Sequence, residues 1–328
     1  MQTNAPTRNP RNVTVDRLAH ALVRLIVVSL ASLPAGFGRS VGRFIGSMIW
    51  RIDKRHRKQV LLNMDIAFRK GKSQSEKDNL CKKYFEHVGL SLVEIAKMGH
   101  LTRETVTDLC DVSELKQFET VIAKGKGVLI VPAHHGNWEL CGYAVSLMGF
   151  ALKSVARPLD NPYLNEYLME YRQRSGHVII EKWKVLWKLK KMLDKGDVIS
   201  MSVDQNGGIG GEFVPFFGSI ASTVASPADL HVITKTPIIV ATLNRKADGL
   251  HHVLRVWDVI EHEPYTDQKE ASRKVLKRIN AAVEKSIWEY PEQWLWIHRR
   301  WKTRPPGEVP AADGLPPLLY PSARQLGN

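Results

Sequence analysis

The chain has 328 residues, 44% hydrophobic and 24% charged, enough apolar material for one large domain or two smaller ones, and the composition excludes wholesale disorder. Its net charge is +14, and its three cysteines, Cys81, Cys110 and Cys141, stand far apart with no C-x-x-C pair. That usage predicts a reducing compartment and argues against a disulfide framework or a cysteine-based zinc site.

In chain order, residues 1–58 form a basic segment. They carry eleven Lys and Arg (Arg8, Arg11, Arg17, Arg24, Arg39, Arg43, Arg51, Lys54, Arg55, Arg57, Lys58) against two acids, Asp16 and Asp53. These charges bracket LIVVSLASLPAGFG, an uncharged run over residues 25–38 that Pro34 interrupts. A spanning helix needs about 20 mostly apolar residues, so this run is short. Val41, Phe44, Ile45, Met48 and Ile49 then recur at helical spacing beside Arg43 and Arg51. The segment is expected to attach to a membrane, either as a marginal span or lying in the interface of an anionic leaflet. The alternative is an amphipathic helix packed on its own domain. A cleaved signal peptide is disfavoured, because no small-residue cleavage site precedes a secreted, cysteine-paired body.

Residues 59–100 show apolar residues three and four apart and are predicted helical. From there strands and helices alternate. Residues 127–131 read as a strand, 138–149 as a helix, LKSVARPLDNP as a strand leaving through a turn, and YLNEYLMEYRQRSG as a helix closed by Gly176. VII is a short strand, VLWKLKKMLDKG a helix, and DVISMSVDQ a buried strand ending on Asp204. GGIGGEFVPFFG is expected to be a glycine-rich loop, ASPADLHVITKT a helix, PIIVATLNR and HHVLRVWDVI strands, and 271–290 a helix. Six prolines after Arg304 give residues 305–328 the composition of a tail. The alternation predicts an α/β fold: a mixed, partly parallel sheet flanked by helices, with an N-terminal membrane-anchoring helix ahead of it.

Chemistry concentrates in GVLIVPAHHGNWELCG, residues 127–142. A histidine at the C-terminal end of a buried strand stands where open α/β sheets bind ligands, and neutral imidazole accepts a proton near pH 7. Glu139, early in the following helix, is placed to fold back on the His134 ring, fix its tautomer and raise its basicity. That is base-plus-orienter logic without a serine, so the nucleophile has to come from substrate, such as a hydroxyl attacking an acyl donor. The plain alternative makes His134 and His135 satisfied loop histidines and Glu139 a solvated helix residue.

Other patterns carry less. GRSVG, residues 38–42, spells G-x-S-x-G, but no buried strand precedes it. His134, His135 and Glu139 lack the H-E-x-x-H order of a zinc helix, so no metal is expected, and GGIGG has neither G-x-G-x-x-G nor a Walker lysine, so no cofactor is expected. PEQWLWIHRRWKTRP, residues 291–305, interleaves tryptophans with basic residues. It suits either base stacking or an aromatic membrane belt with Arg299 and Arg300 clamping a lipid phosphate; proximity to a membrane segment favours the second. The alternative places Trp294 and Trp296 in the core and both arginines on the surface.

With these motifs in hand, the chain from about residue 15 to 305 resembles the late acyltransferases of lipid A biosynthesis, the lauroyl and myristoyl transferases. These are similar in layout to the wider glycerophospholipid acyltransferases. The resemblance rests on RHRKQVLLNMDIAF, HHGNWEL, ARPLDNPYLN, YRQRSG, SVDQNGGIGGEFVPFFG and PEQWLWIHRRWKTRP, in that order. It implies a glycerol-3-phosphate acyltransferase-like domain over 59–304. The implied reaction moves a fatty acyl chain from acyl carrier protein to a hydroxyl of a Kdo-bearing lipid A precursor, at the inner membrane with the catalytic domain on the cytoplasmic face. The family's His-x-x-x-x-Glu/Asp pair falls on His134 and Glu139, its arginine on Arg174 with Arg172 as rival, and its strand-end aspartate on Asp204. His135 departs from the aromatic residue often found there. Arg157, Asn137, Arg299 and Arg300 are assigned to substrate, and Arg174, Arg157 or a backbone N–H to the oxyanion or a phosphate. No specific nucleic acid is expected as partner. Acylation of another glycolipid, such as a mannosylated phosphatidylinositol, is the alternative. A nucleic-acid- or membrane-binding protein without catalysis would explain the charge but not HHGNWEL.

Overall fold

The computed structural model describes residues 12–182 and 185–320; residues 1–11 of the basic segment and 321–328 of the proline-rich tail lie outside them. The N-terminal apolar run is two helices rather than one, α1 (Val13–Ser32) and α2 (Ala35–Ile52), broken at Leu33–Pro34 because proline cannot continue a helix in its interior. Among the described residues no helix is long and apolar enough to cross a membrane, so the expected anchoring helix has no support as a span.

The predicted helix over 59–100 also divides, into α3 (Lys54–Phe68) and α4 (Gln74–Met98). Arg69 adopts a positive φ of 48°, and Ser73 with Glu76 forms a capping box that restarts the chain as α4. Gly38, Gly42, Gly46 and Gly89 give the N-terminal helices their seat. A Cβ on Gly46 would lie 2.2 Å from the Phe85 carbonyl oxygen, and one on Gly89 would lie 2.1 Å from that of Gly42. α2 and α4 therefore cross in backbone contact, which only glycine permits. The GRSVG pattern is part of this seam.

Beyond α4 the chain forms α5 (Arg103–Leu109), β1 (Cys110–Asp111) and α6 (Leu115–Ile122), none of which the sequence patterning indicated. The expected alternation follows: β2 (Val128–Gly136), α7 (Trp138–Leu147), β3 (Leu152–Ala156), α8 (Pro162–Gln173), β4 (Val178–Glu181), α9 (Leu186–Asp194) and β5 (Val198–Ser200). The glycine-rich stretch holds a hairpin, β6 (Glu212–Phe216) with β7 (Ser219–Thr223), so only its first half is loop. Then come α10 (Ser226–Thr234), β8 (Ile238–Arg245), β9 (His252–Ile260) and α11 (Gln268–Glu289).

Seven strands form one sheet in the order β1-β9-β8-β2-β5-β3-β4, parallel except where β9 runs against β8. The alternation predicts a mixed, partly parallel sheet flanked by helices, and the sheet is mixed and mostly parallel. β2 is apolar on both faces, as a parallel strand under two helical layers must be. Leu129, Val131 and Ala133 enter a core shared with Leu189 and Leu193 of α9, Leu230 of α10 and Ile279, Val283 and Ile287 of α11. Val128 and Ile130 enter the other, with Phe118 of α6 and Leu140 and Ala144 of α7. The proline-rich segment is held as far as Tyr320: Leu319 N–H donates to the Gly218 carbonyl and Arg69 pairs with Asp313 at 3.1 Å.

Candidate active site

Parallel pairing of β2 with β5 sets Ile130 beside Ser200. Continuing that register four residues brings His134 beside Asp204. The ring Nδ1 of His134 lies 2.8 Å from Asp204 Oδ1, and the His134 backbone N–H donates to Oδ2 at 2.7 Å. The Trp294 indole N–H donates to the same Oδ2 at 2.8 Å. The carboxylate is buried and aimed by donors on both oxygens. Burial alone would raise its pKa, but the charge of His134 and these hydrogen bonds hold it down, at about 2. For His134, burial opposes protonation, while the charge and hydrogen bond of Asp204, and more weakly the charge of Glu139, lift the ring above its ordinary value. With the Nδ1–H donating to Asp204, Nε2 is the basic nitrogen.

The ring-orienting contact thus belongs to Asp204, where Glu139 was expected. Glu139 sits in the first turn of α7 and is gripped from the side by Arg172, Nε to Oε2 at 2.9 Å and Nη2 to Oε1 at 2.6 Å. Such a bidentate fork fixes both carboxylate oxygens. Of the two arginines in YRQRSG, Arg172 lies in the site; Arg174 is exposed at the C-cap of α8 and stacks over Tyr171 at 5.3 Å.

His134 and His135 point to opposite faces, as strand neighbours do. His135 is fully buried on the α11 side, Nδ1 at 2.9 Å from Ser286 Oγ and Nε2 at 2.9 Å from the Tyr290 carbonyl. Burial holds its pKa down at about 4. Gly136 follows at φ 64°, where a Cβ would lie 1.9 Å from the Leu243 carbonyl oxygen. Asn137, expected to face substrate, is instead buried and committed to structure. Its Oδ1 caps α7 through Leu140 N–H and its Nδ2 donates to Glu94. Glu94 in turn pairs with Arg245 at 2.6 Å, and His87 accepts at Nδ1 from Arg245 and donates from Nε2 to the Gly136 carbonyl. This buried cluster fixes the turn that delivers His134.

A cavity of about 140 Å³ opens from His134 between the sheet and α7. Phe118, Ile130, Val145, Leu152 and Ile179 make it apolar, and Ser154, His177, Glu139 and Arg172 supply polar groups. His177 bonds to Ser154 Oγ at 2.7 Å, and burial holds its pKa down at about 4. A larger open groove of about 400 Å³, lined by His231, His262 and Glu263 on the α10–α11 side, shares none of these residues.

The tryptophan-arginine segment proves mostly internal. Trp294, Trp296 and Trp301 are buried, packed on one another and on Phe216, and offer no stacking platform for bases. Arg300, expected at substrate, is fully buried because the hairpin needs it. It bonds to the Ser222 carbonyl and to Thr223 Oγ1 at 2.7 Å and lies over the Phe216 ring. Arg299 beside it is exposed. Arg157 is exposed too, paired with Asp160 at 2.7 Å. Trp294 and Gln205, whose amide nitrogen lies 3.3 Å from His134 Nε2, belong to the site but were not singled out as such by sequence. The only signal was Gln205 following a strand-end aspartate.

The pattern that defines bacterial lipid A biosynthesis acyltransferases matches residues 8–303. The chain is 29% identical over 272 residues to the lipid A biosynthesis palmitoleoyltransferase of Escherichia coli (strain K12), covering 82% of this chain and 86% of that one. It is 29% identical over 269 residues to the lauroyltransferase of the same organism, covering 81% and 86%. To the myristoyltransferase it is 22% identical over 271 residues, covering 82% and 81%.

Proposed function

The chain belongs to the bacterial lipid A biosynthesis acyltransferases, and from that premise we propose that it moves a fatty acyl chain from acyl carrier protein to a hydroxyl of a Kdo-bearing lipid A precursor. The observation that carries this reading is the His134–Asp204 pair at the mouth of an apolar cavity. Among the described residues no serine or cysteine side chain contacts the ring, so the attacking oxygen is assigned to the acceptor. The acceptor hydroxyl gives its proton to His134 Nε2 as its oxygen attacks the thioester carbonyl. Asp204 holds the Nδ1 proton and stabilises the imidazolium. The intermediate collapses, the carbon–sulfur bond breaks, and the thiolate takes the proton back from His134. Glu139, near enough to raise the pKa of His134, adds negative potential while Arg172 keeps it in place. The apolar cavity suits the proximal part of the acyl chain. The layout fits the glycerol-3-phosphate acyltransferase type.

The same reading puts the enzyme at the cytoplasmic face of the inner membrane. Leu18, Leu22 and Leu25 make an exposed stripe on α1, and Phe37, Phe44, Met48 and Ile52 another on α2. Arg43, Arg51, Lys54, Arg55 and Lys58 lie exposed beside them. That combination suits helices lying in an anionic interface. Exposed Arg299 is assigned to a phosphate of the acceptor or an acid of the carrier. The test is radiolabelled acyl transfer with acyl-carrier thioesters and Kdo-bearing precursor in detergent. Incorporation that needs His134 is expected; transfer only to another glycolipid, such as a mannosylated phosphatidylinositol, would overturn the acceptor, and no transfer at all the reading itself.

A further inference from the structure

The Nε2 atom of His134, which has to take the acceptor's proton, is already in contact with protein: the side-chain amide nitrogen of Gln205 lies 3.3 Å away. Because the Nδ1–H donates a hydrogen bond to the Asp204 carboxylate, Nε2 carries a lone pair and the amide points an N–H at it. The position of Gln205 is fixed from both sides. Asp204 before it is held by His134 and Trp294. Asn206 after it donates its backbone N–H to His298 Nε2 at 2.8 Å and its Nδ2 to Thr303 Oγ1 at 2.9 Å. The tryptophan-arginine segment therefore works on the site from within: Trp294, His298 and Thr303 clamp the three-residue turn that carries Gln205. Among the described residues, none of the arginines assigned to this role from sequence is free for the same place. Arg172 is locked to Glu139, and Arg174 and Arg157 are exposed with partners of their own.

We propose that Gln205 is the oxyanion donor of the transfer reaction. A hydroxyl hydrogen-bonded to Nε2 sits about 2.8 Å from it, where it displaces the resting amide. The carbonyl it attacks then lies within a bond or two of that oxygen, beside the displaced N–H. As the new carbon–oxygen bond forms, the carbonyl electron pair moves onto oxygen, and the Gln205 N–H donates to it. When the pair returns, the carbon–sulfur bond breaks and the thiolate leaves with the proton from His134. A neutral amide donor held by its neighbours gives such stabilisation without an ionisation of its own. In the resting enzyme the same N–H caps the base. The inference rests on the acyl-transfer reading above.

The experiment uses the full chain in detergent, with dodecanoyl to hexadecanoyl thioesters of acyl carrier protein and Kdo-bearing lipid A precursor. Wild type, His134→Ala, Gln205→Ala and Gln205→Glu are run in parallel, each with its thermal unfolding. Loss of one oxyanion donor is expected to lower kcat about 100- to 1,000-fold, with the donor KM within about threefold. Gln205→Glu, which keeps the shape and sets a carboxylate against the developing charge, should be at least as impaired at unchanged Tm. A Gln205→Ala kcat within threefold of wild type, or above it as for a mere cap on the base, overturns the proposal, as does an active Gln205→Glu. An inactive wild type or an active His134→Ala would instead sink the acyl-transfer reading on which it rests.

Discussion

At residue scale, adjacent histidines acquire different chemistry because a strand sends neighbours to opposite faces. His134→Ala should lower turnover by a factor of about 100 to 10,000, the usual worth of a general base. His135→Ala should stay within about tenfold in turnover but unfold at lower temperature, since it strips Ser286 and the Tyr290 carbonyl of a buried partner. A dead His135→Ala that is fully folded would reverse the assignment. The pH dependence separates base from partner. The folded pKa of His134 is raised, so this pair stabilises the protein fully below the ordinary histidine value of about 6.5 and loses that contribution as pH rises through the folded pKa. Activity runs the other way, because the base has to be neutral: kcat/KM should climb with pH around a midpoint above 6.5. Asp204→Asn removes the charge that raises it, so the rising limb should move to lower pH while kcat falls. An unmoved limb would detach Asp204 from the base. The sequence exposed His134 through its place at a strand end. Asp204 was reached only through the family resemblance, and its pairing with His134 stayed hidden, because seventy residues separate the two and only the pairing of β2 with β5 joins them. The local candidate, Glu139, is turned aside by Arg172 from another helix, and no spacing within HHGNWEL reports that.

At element scale, the strands and helices from β2 to α11, the β6–β7 hairpin excepted, were legible because each carries its own period and its own stop. What escaped was carried by tertiary partners. Gly38 and Gly42 spell a nucleophile pattern that the absence of a preceding strand argues against, but their role with Gly46 as a packing seam shows only when α4 lies across them. EFVPF reads as the end of a glycine-rich loop until β7 pairs with it. Neighbouring arginines of one motif likewise divide between core and surface. Arg300 is a buried brace for that hairpin, and burial draws its pKa down to about 10 despite the acids Asp204 and Glu284. Arg300→Ala would leave the Ser222 carbonyl and Thr223 without their charged donor, a loss of about 3 kcal/mol, or roughly 4–5 °C in Tm for a chain of this length. Arg299→Ala should leave Tm unchanged and raise the KM for either the acceptor or the carrier-bound donor. Acceptor lacking phosphate would then bind wild type and mutant alike if the phosphate is the target; a short acyl thioester would erase the difference if the carrier is. Thermal unfolding that falls equally in both variants would undo this division.

For the whole molecule, the proposed membrane attachment draws on the basic charge and the exposed apolar side chains of the N-terminal helices, and magnitudes decide how such a surface would hold an anionic bilayer. Exposed Leu18, Leu22, Leu25 and Phe44 leave 58–65% of their surface in water. Side chains of this kind contribute about 1.5–3 kcal/mol each when fully buried, so partial insertion of four is worth on the order of 5 kcal/mol. The five exposed cations of α2 and α3 add about 1 kcal/mol each near an anionic leaflet, and salt screens that part. Neither contribution alone makes a durable attachment. Both α1 and α2 also pack on α4, and Asp16 is tied through its carbonyl to Asn161, so deleting residues 1–50 would strip a face of the fold along with the proposed attachment surface. Replacing Leu18, Leu22, Leu25 and Phe44 with glutamine is the cleaner test, because these side chains face solvent. The quadruple variant should keep its Tm and its turnover with detergent-dispersed acceptor. It should fall at least 100-fold in partition to vesicles containing anionic phospholipid, and slow in proportion on vesicle-embedded acceptor. Wild type should weaken but remain bound in 0.5 M salt, whereas the variant should release completely. A variant that still pellets with vesicles in high salt would place the attachment elsewhere on the molecule.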